Sequence, residues 1–183
     1  DALVNGPDLS LDKQAGMAAS VDGYGHGTHL AGIIAGRDAG VAPGSRIVNM
    51  KVGASDGAVD VSQVIAAIDW TVAHRKDAGM NIRVINLAYG TDSEQLYTAS
   101  PLTHAVESAW RNGIVVVVSA GNDAGALTNP ATDPYVITVG SVDTNDPYNA
   151  ADDALAPFSA VGAASQHAGP VWQLGWLPGA AVQ

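Results

Sequence analysis

Apolar and polar positions along the middle of the chain follow two alternating rhythms, and the switches between them mark its elements. Arg46–Val52 (RIVNMKV) is rich in branched and long apolar residues and predicts a strand. After it, Ser62 stands as a helix N-cap ahead of Val64, Ile65, Ile68 and Val72 at helical spacing. Gly79 lies where a C-terminal cap belongs. Ile82–Ala88 (IRVINLA) predicts a second strand. A second helix is signalled by Ser100 as cap and Pro101 at the first helical position. Its apolar face is Leu102, Ala105, Val106, Ala109 and Trp110, and Gly113 ends it. Ile114–Ser119 and Tyr135–Val142 complete the set of strands.

Strands apolar on both faces, separated by amphipathic helices, imply an α/β fold with a parallel sheet and helices on both faces. Ligands of such sheets bind at the carboxyl ends of the strands. That rule directs attention to Gly53–Gly57, Tyr89–Thr91 and Ala120–Asp123, each directly following a predicted strand. The ends of the chain differ. Residues 1–25 are polar and turn-rich, and residues 163–183 carry two tryptophans without a sustained period, so no element is assigned to either.

Composition narrows the function classes. Eighteen acidic residues against eight basic give a net charge of -10, which argues against a nucleic-acid partner and against docking on anionic lipid. With no cysteine in the chain, thiolate catalysis and zinc–thiolate sites are excluded. Residues 1–10 have neither the basic nor the apolar region of a signal peptide, and the longest apolar run, Ile114–Val118, is too short to cross a bilayer.

The segment Asp22–Gly36, DGYGHGTHLAGIIAG, leads through three closely spaced glycines into an apolar helix starting near His26. On its own this pattern suits a capping or buried histidine as well as a catalytic one. Taken with GVAP at 40–43, VINLAYG at 84–90, VVVVSAGND at 115–123 and NPATDPYVITVGSVD at 129–143, it resembles the subtilisin-like serine peptidases, the subtilases. The resemblance runs from about Gly6 to Gly162. It implies a subtilisin-like three-layer sandwich, incomplete or rearranged, over residues 1–162, with 163–183 an atypical tail.

By that resemblance His26 matches the general base and Asn122 the side-chain donor to the oxyanion. Ala88, Tyr89 and Gly90 match the strand edge on which substrate backbone pairs, Gly53 begins the opposite edge, and Ser119, Ala120 and Gly121 line the primary specificity pocket. Two family features find no match in these residues: the strand ending in the catalytic aspartate, and the GTSMA-like serine motif. Loss of a central strand and of a buried helix should leave an open edge and exposed apolar surface, covered by rearrangement or in a homo-oligomer. Conventional peptidase activity of residues 1–183 alone is not expected.

A second reading keeps hydrolysis and changes the nucleophile. Ser119, Ser159 or Ser165 would act on an ester, with Asp22 or Asp60 orienting His26, whereas the ordinary role of such a hydroxyl is a local backbone hydrogen bond. A third is a non-catalytic module that binds extended peptide at residues 88–90. His26 and His29 are spaced to share a helical turn as metal ligands, but the resemblance accounts for both, so no metal and no cofactor are assigned. The glycines at 23, 25 and 27 lack the last glycine of a dinucleotide fingerprint, since position 28 is Thr28. Trp70 and Trp110 read as packing residues, and the acidic residues of 133–153 as surface loops. The expected partner is a peptide or ester substrate. The resemblance implies a secreted or cell-surface protein.

Overall fold

The computed structural model describes residues 3–17, 22–93, 95–144 and 150–162, and the backbone of 171–175. It divides into two compact units, residues 1–81 and 82–183.

The first unit holds β1 (Leu3–Asp8), α1 (Leu11–Gln14), α2 (His26–Ala35), β2 (Ile47–Lys51) and α3 (Val61–His74), with β1 and β2 forming a two-stranded parallel sheet. β1 is an element that residues 1–25 do not announce. Its sequence LVNGPD contains both a glycine and a proline, which weaken a strand. Each has its place here. A Cβ on Gly6 would come within 2.5 Å of Met50 Sδ, so the glycine lets β2 approach without displacing that side chain. Pro7, which has no N–H to donate, falls in the register irregularity between Asn5 and Asp8.

α3 forms where the spacing of Val64, Ile65, Ile68 and Val72 predicts, but its ends differ. Asp60, not Ser62, is the N-cap. Its carboxylate accepts from Ser62 N (2.8 Å), and Gln63 Oε1 accepts from Asp60 N (3.1 Å) in a capping box. The helix ends at His74, with Arg75 as C-cap, ahead of the expected Gly79, which serves a later turn at φ +82°.

The second unit holds β3 (Val84–Leu87), α4 (Pro101–Arg111), β4 (Val115–Ser119), β5 (Ile137–Asp143), β6 (Ala154–Leu155) and β7 (Val171–Gly175). β3, β4 and β5 are parallel in that order. β6 pairs antiparallel with the end of β5, and β7 pairs parallel with β5. The tail thus contributes a strand.

α4 begins at Pro101 after Ser100, as the sequence indicates, and buries Leu102, Ala105, Val106 and Ala109. It packs on β4, and the side chains of Val116, Val118 and Thr138 on the neighbouring strands are buried. Trp110 departs from the expected packing role. It is exposed and lies with its ring centroid 4.6 Å from that of Tyr135.

The fold is therefore α/β, with parallel sheets and accompanying helices, in the incomplete form that the sequence suggests. In the described residues the parallel strands form two separate sheets.

Candidate functional site

The candidate residues fall on both units, and each unit assembles its own share. In the first, Gly25 takes φ +93°, a left-handed conformation that favours glycine, and turns the chain into α2 so that His26 is its first residue. Asp22 fixes this turn. One of its oxygens accepts from Gly25 N (2.7 Å) and the other from Thr28 N (2.9 Å) and Thr28 Oγ1 (2.7 Å). Burial pushes this carboxyl up, but the hydrogen bonds from Thr28, Gly25 and Tyr24 outweigh it and hold the pKa at about 2. Half-buried His26 has no hydrogen bond from its ring among the described residues.

Gly53–Gly57, which the resemblance implies as the opposite substrate edge, lies against the same turn. Gly57, at φ +88°, passes so close to the Tyr24 ring that a Cβ would sit 2.8 Å from it, and a Cβ on Gly23 would be 3.2 Å from Ser55. Residues 54–58 close on themselves through Ala54 N to Ala58 O (2.9 Å). Lys51 Nζ donates to Gly53 O (2.7 Å), and Ser55 N donates to Asp12 Oδ2 (2.7 Å). The structure therefore brings Gly53–Gly57 and the His26 turn together.

In the second unit, Leu87 and Val118 are register partners, so Ala88–Gly90 and Ser119–Asn122 leave adjacent strands side by side at their carboxyl ends. Ala120 N donates to Val139 O (2.8 Å), and Gly121 O accepts from Ala160 N (3.0 Å), fixing the segment from both sides. Asn122 emerges exposed, and its side-chain amide has no hydrogen bond among the described residues. That is the state an oxyanion donor needs.

The edge at residues 88–91 has a support that sequence reasoning missed. Thr91 N donates to Asn129 O (2.9 Å), Asn129 Nδ2 donates to Gln95 O (2.7 Å), and Thr132 Oγ1 donates to Asn129 Oδ1 (2.5 Å). Thr128 Oγ1 would be 3.5 Å from a Cβ on Gly90. Nothing in a loop reading ALTNP signals this, because its contacts with Thr91 and Gln95 are made across 38 and 34 residues of chain.

The remaining candidates separate by what their side chains already hold. Ser159 is buried, and its hydroxyl accepts from Ser141 N (3.0 Å) beside Gly140. Asp60 caps α3, and the hydrogen bonds from Ser62 draw its pKa down. Asp22 is likewise engaged, at the start of α2. Ser119 is half-buried at the end of β4, with no hydrogen bond from its hydroxyl among the described residues. Ser165 lies outside the described residues. Among them, no three histidine or acidic side chains gather to hold a metal ion, and no helix is long and apolar enough to cross a membrane.

Comparison with known proteins gives concordant results. The model of the subtilase family matches residues 10–174. The subtilase-type proteinase isp6 of Schizosaccharomyces pombe is 39% identical over 144 residues, which make up 74% of this chain and 30% of that protein. Serine protease AprX of Bacillus subtilis is 34% identical over 154 residues, 77% of this chain and 35% of its own. Among solved structures, a cold-adapted subtilisin-like serine proteinase superposes with a TM-score of 0.70 at 31% identity, covering 88% of this chain and 53% of that one. The chain thus spans about a third of the length of these curated relatives.

Proposed function

The chain belongs to the subtilase family, and on that premise we propose that it carries the histidine and oxyanion portion of a serine endopeptidase catalytic domain. His26 is the general base, Asn122 donates to the tetrahedral oxyanion, and extended peptide pairs with Ala88–Gly90 and with the edge that begins at Gly53. Ser119, Ala120 and Gly121 line the pocket for the residue before the scissile bond. The chemistry needs no cofactor. By family resemblance the protein works outside the cell.

The observation that carries this reading is the free amide of Asn122 at the carboxyl end of β4, beside the strand edge at 88–90. A fluorophosphonate labels only an activated serine. Intact-mass spectrometry of residues 1–183 after that treatment is expected to show no adduct, while an extended peptide slows hydrogen exchange at residues 88–91.

One observation favours a second reading, weak ester hydrolysis with Ser119 as nucleophile: of the described candidates, its hydroxyl alone is not engaged in the framework. An adduct mapped to Ser119 and abolished by His26→Ala would replace the first reading with the second. Exchange unchanged at 88–91 would remove peptide binding from the proposal.

A further inference from the structure

Two acidic side chains meet in the interior of the second unit, with a single basic group beside them. Asp133, in the loop between β4 and β5, is fully buried, and Glu107 on α4 is 7% exposed. The turn of α4 that carries Glu107 packs on this loop, since Trp110, three residues further on, lies against the Tyr135 ring. Arg111 pairs with Glu107 from the next turn. The charged and titratable groups facing Asp133 are therefore Glu107 and Arg111 on α4 and Tyr135 on its own loop. Asp133 Oδ1 accepts from Tyr135 N (2.7 Å), whereas Oδ2 has no hydrogen-bond partner among the described residues. A fully ionised pair would bury two negative charges against one positive charge, which is strongly unfavourable. A proton on Oδ2 removes the excess charge and turns the unpartnered oxygen into a donor toward Glu107. The Glu107 carboxyl acts on Asp133 both as a charge and as a hydrogen-bond partner, in the direction that keeps the proton on.

The loop that holds Asp133 also holds the edge at 88–91. Asp133 N donates to Pro130 O (3.0 Å), and Thr138 Oγ1 donates to Ala131 O (2.8 Å). Thr132 Oγ1 donates to Asn129 Oδ1 (2.5 Å), and the backbone oxygen of Asn129 accepts from Thr91 N (2.9 Å). Asn129 and Ala131 are each 1% exposed, so the loop is packed into the unit rather than laid over it. Residues 129–135 thus run as one hydrogen-bonded piece from the buried carboxyl to the brace on Thr91.

We propose that Asp133 and Glu107 share one proton, and that protonated Asp133 is a positioning residue for the strand edge at 88–91. With the proton in place, the 129–135 loop is tied to α4 and Asn129 is held against Thr91. When the loop opens, Asp133 reaches water and releases the proton to it, so opening becomes easier as pH rises. Between pH 3.8 and about 6 the closed loop keeps a proton that the open loop has lost. Over that window the opening equilibrium rises about a hundredfold, and above it the equilibrium stays level. The edge is therefore held most firmly in acid. The bearing of this brace on function rests on 88–91 being the peptide edge proposed above.

The Thr91 amide reports the brace directly. Its protection against hydrogen exchange, corrected for the intrinsic pH dependence of exchange, is measured by NMR in the free chain from pH 4 to 7. The Val117 amide, on a strand paired on both sides, is followed beside it. The carboxyl carbon shift of Asp133 gives its titration over the same range. Thr91 is expected to be less protected than Val117 and to lose about a hundredfold in protection between pH 4 and 6, with Asp133 titrating above the ordinary carboxylate range. Asp133→Asn, whose amide donates to Glu107 in place of the O–H, should keep Thr91 protection constant with pH. Glu107→Gln, which offers a donor to the ionised Asp133, should do the same. Asp133→Ala, which removes the donor, should leave Thr91 poorly protected at every pH. Titration of Asp133 in the ordinary carboxylate range overturns the shared proton. Thr91 protection that is level with pH in the unaltered chain overturns the link to the edge. Protection equal to that of Val117 at every pH also overturns it, because the brace then opens only when the whole unit unfolds. The free chain contains no peptide, so failure of the brace and failure of peptide binding at 88–91 are read separately.

Discussion

At the scale of single residues, the polar groups that attract a functional reading divide by what already holds them. Asp133 is the clearest buried case. Its side chain is fully buried, one oxygen accepts from Tyr135 N (2.7 Å), and the other has no hydrogen-bond partner among the described residues. Burial raises its pKa from 3.8 to about 6. The Tyr135 N–H opposes this, the Glu107 carboxyl adds to it, and Arg111, paired with Glu107, opposes it in part. Between those two values the folded chain keeps a proton that the unfolded chain has released. Stability contributed by this group is therefore present at low pH and lost as pH rises through the window. Asp133→Asn should flatten that slope in denaturant titrations from pH 4 to 7 and stabilise the protein at neutral pH by on the order of 2 kcal/mol. Ser159 gives a contrasting case. Ser159→Ala strands the Ser141 N–H in a buried site and should cost about 1–3 kcal/mol, read from the denaturation midpoint. A nucleophile, by contrast, would lose activity with stability intact.

At the scale of elements, caps and close approaches decide where helices and strands start. α2 owes its first turn to the left-handed Gly25 and the Asp22 carboxylate, and α3 owes its start to the Asp60–Gln63 box. Asp60→Ala should lower the thermal midpoint and speed hydrogen exchange in the first turn of α3 while leaving residues 82–143 unaffected. Asp60→Asn, which can still cap, should recover most of the loss. The sequence places both helices by apolar spacing, yet it attributes the α3 cap to Ser62, because serine and aspartate are both good caps and only backbone geometry says which one precedes the first helical residue. β1 was not legible at all. A strand containing Gly6 and Pro7 runs against local propensity, and only pairing with β2 makes it favourable.

At the scale of the whole molecule, charge is the strongest property that composition sets. With 18 acidic residues and 8 basic, the surface repels itself, and compact states are favoured when that repulsion is screened. The thermal midpoint is therefore expected to rise between about 10 mM and 150 mM sodium chloride, as the Debye length falls from about 30 to 8 Å. A midpoint that falls with salt would instead point to favourable ion pairs outweighing the net charge.

The sequence by itself determined the α/β class, the approximate places of β2, α3, β3, α4, β4 and β5, and the family, because periodicity and short motifs are local properties of neighbouring residues. It also nominated His26 and Asn122. Tertiary structure decided what locality does not contain: that Asp22 and Asp60 hold helix ends, that Ser159 holds Ser141 while Ser119 has no hydrogen bond from its hydroxyl among the described residues, and that Asn129 braces the edge at 88–91. Each of these depends on which groups meet across tens of residues, and burial and hydrogen-bond partnership exist only once the chain has brought them together.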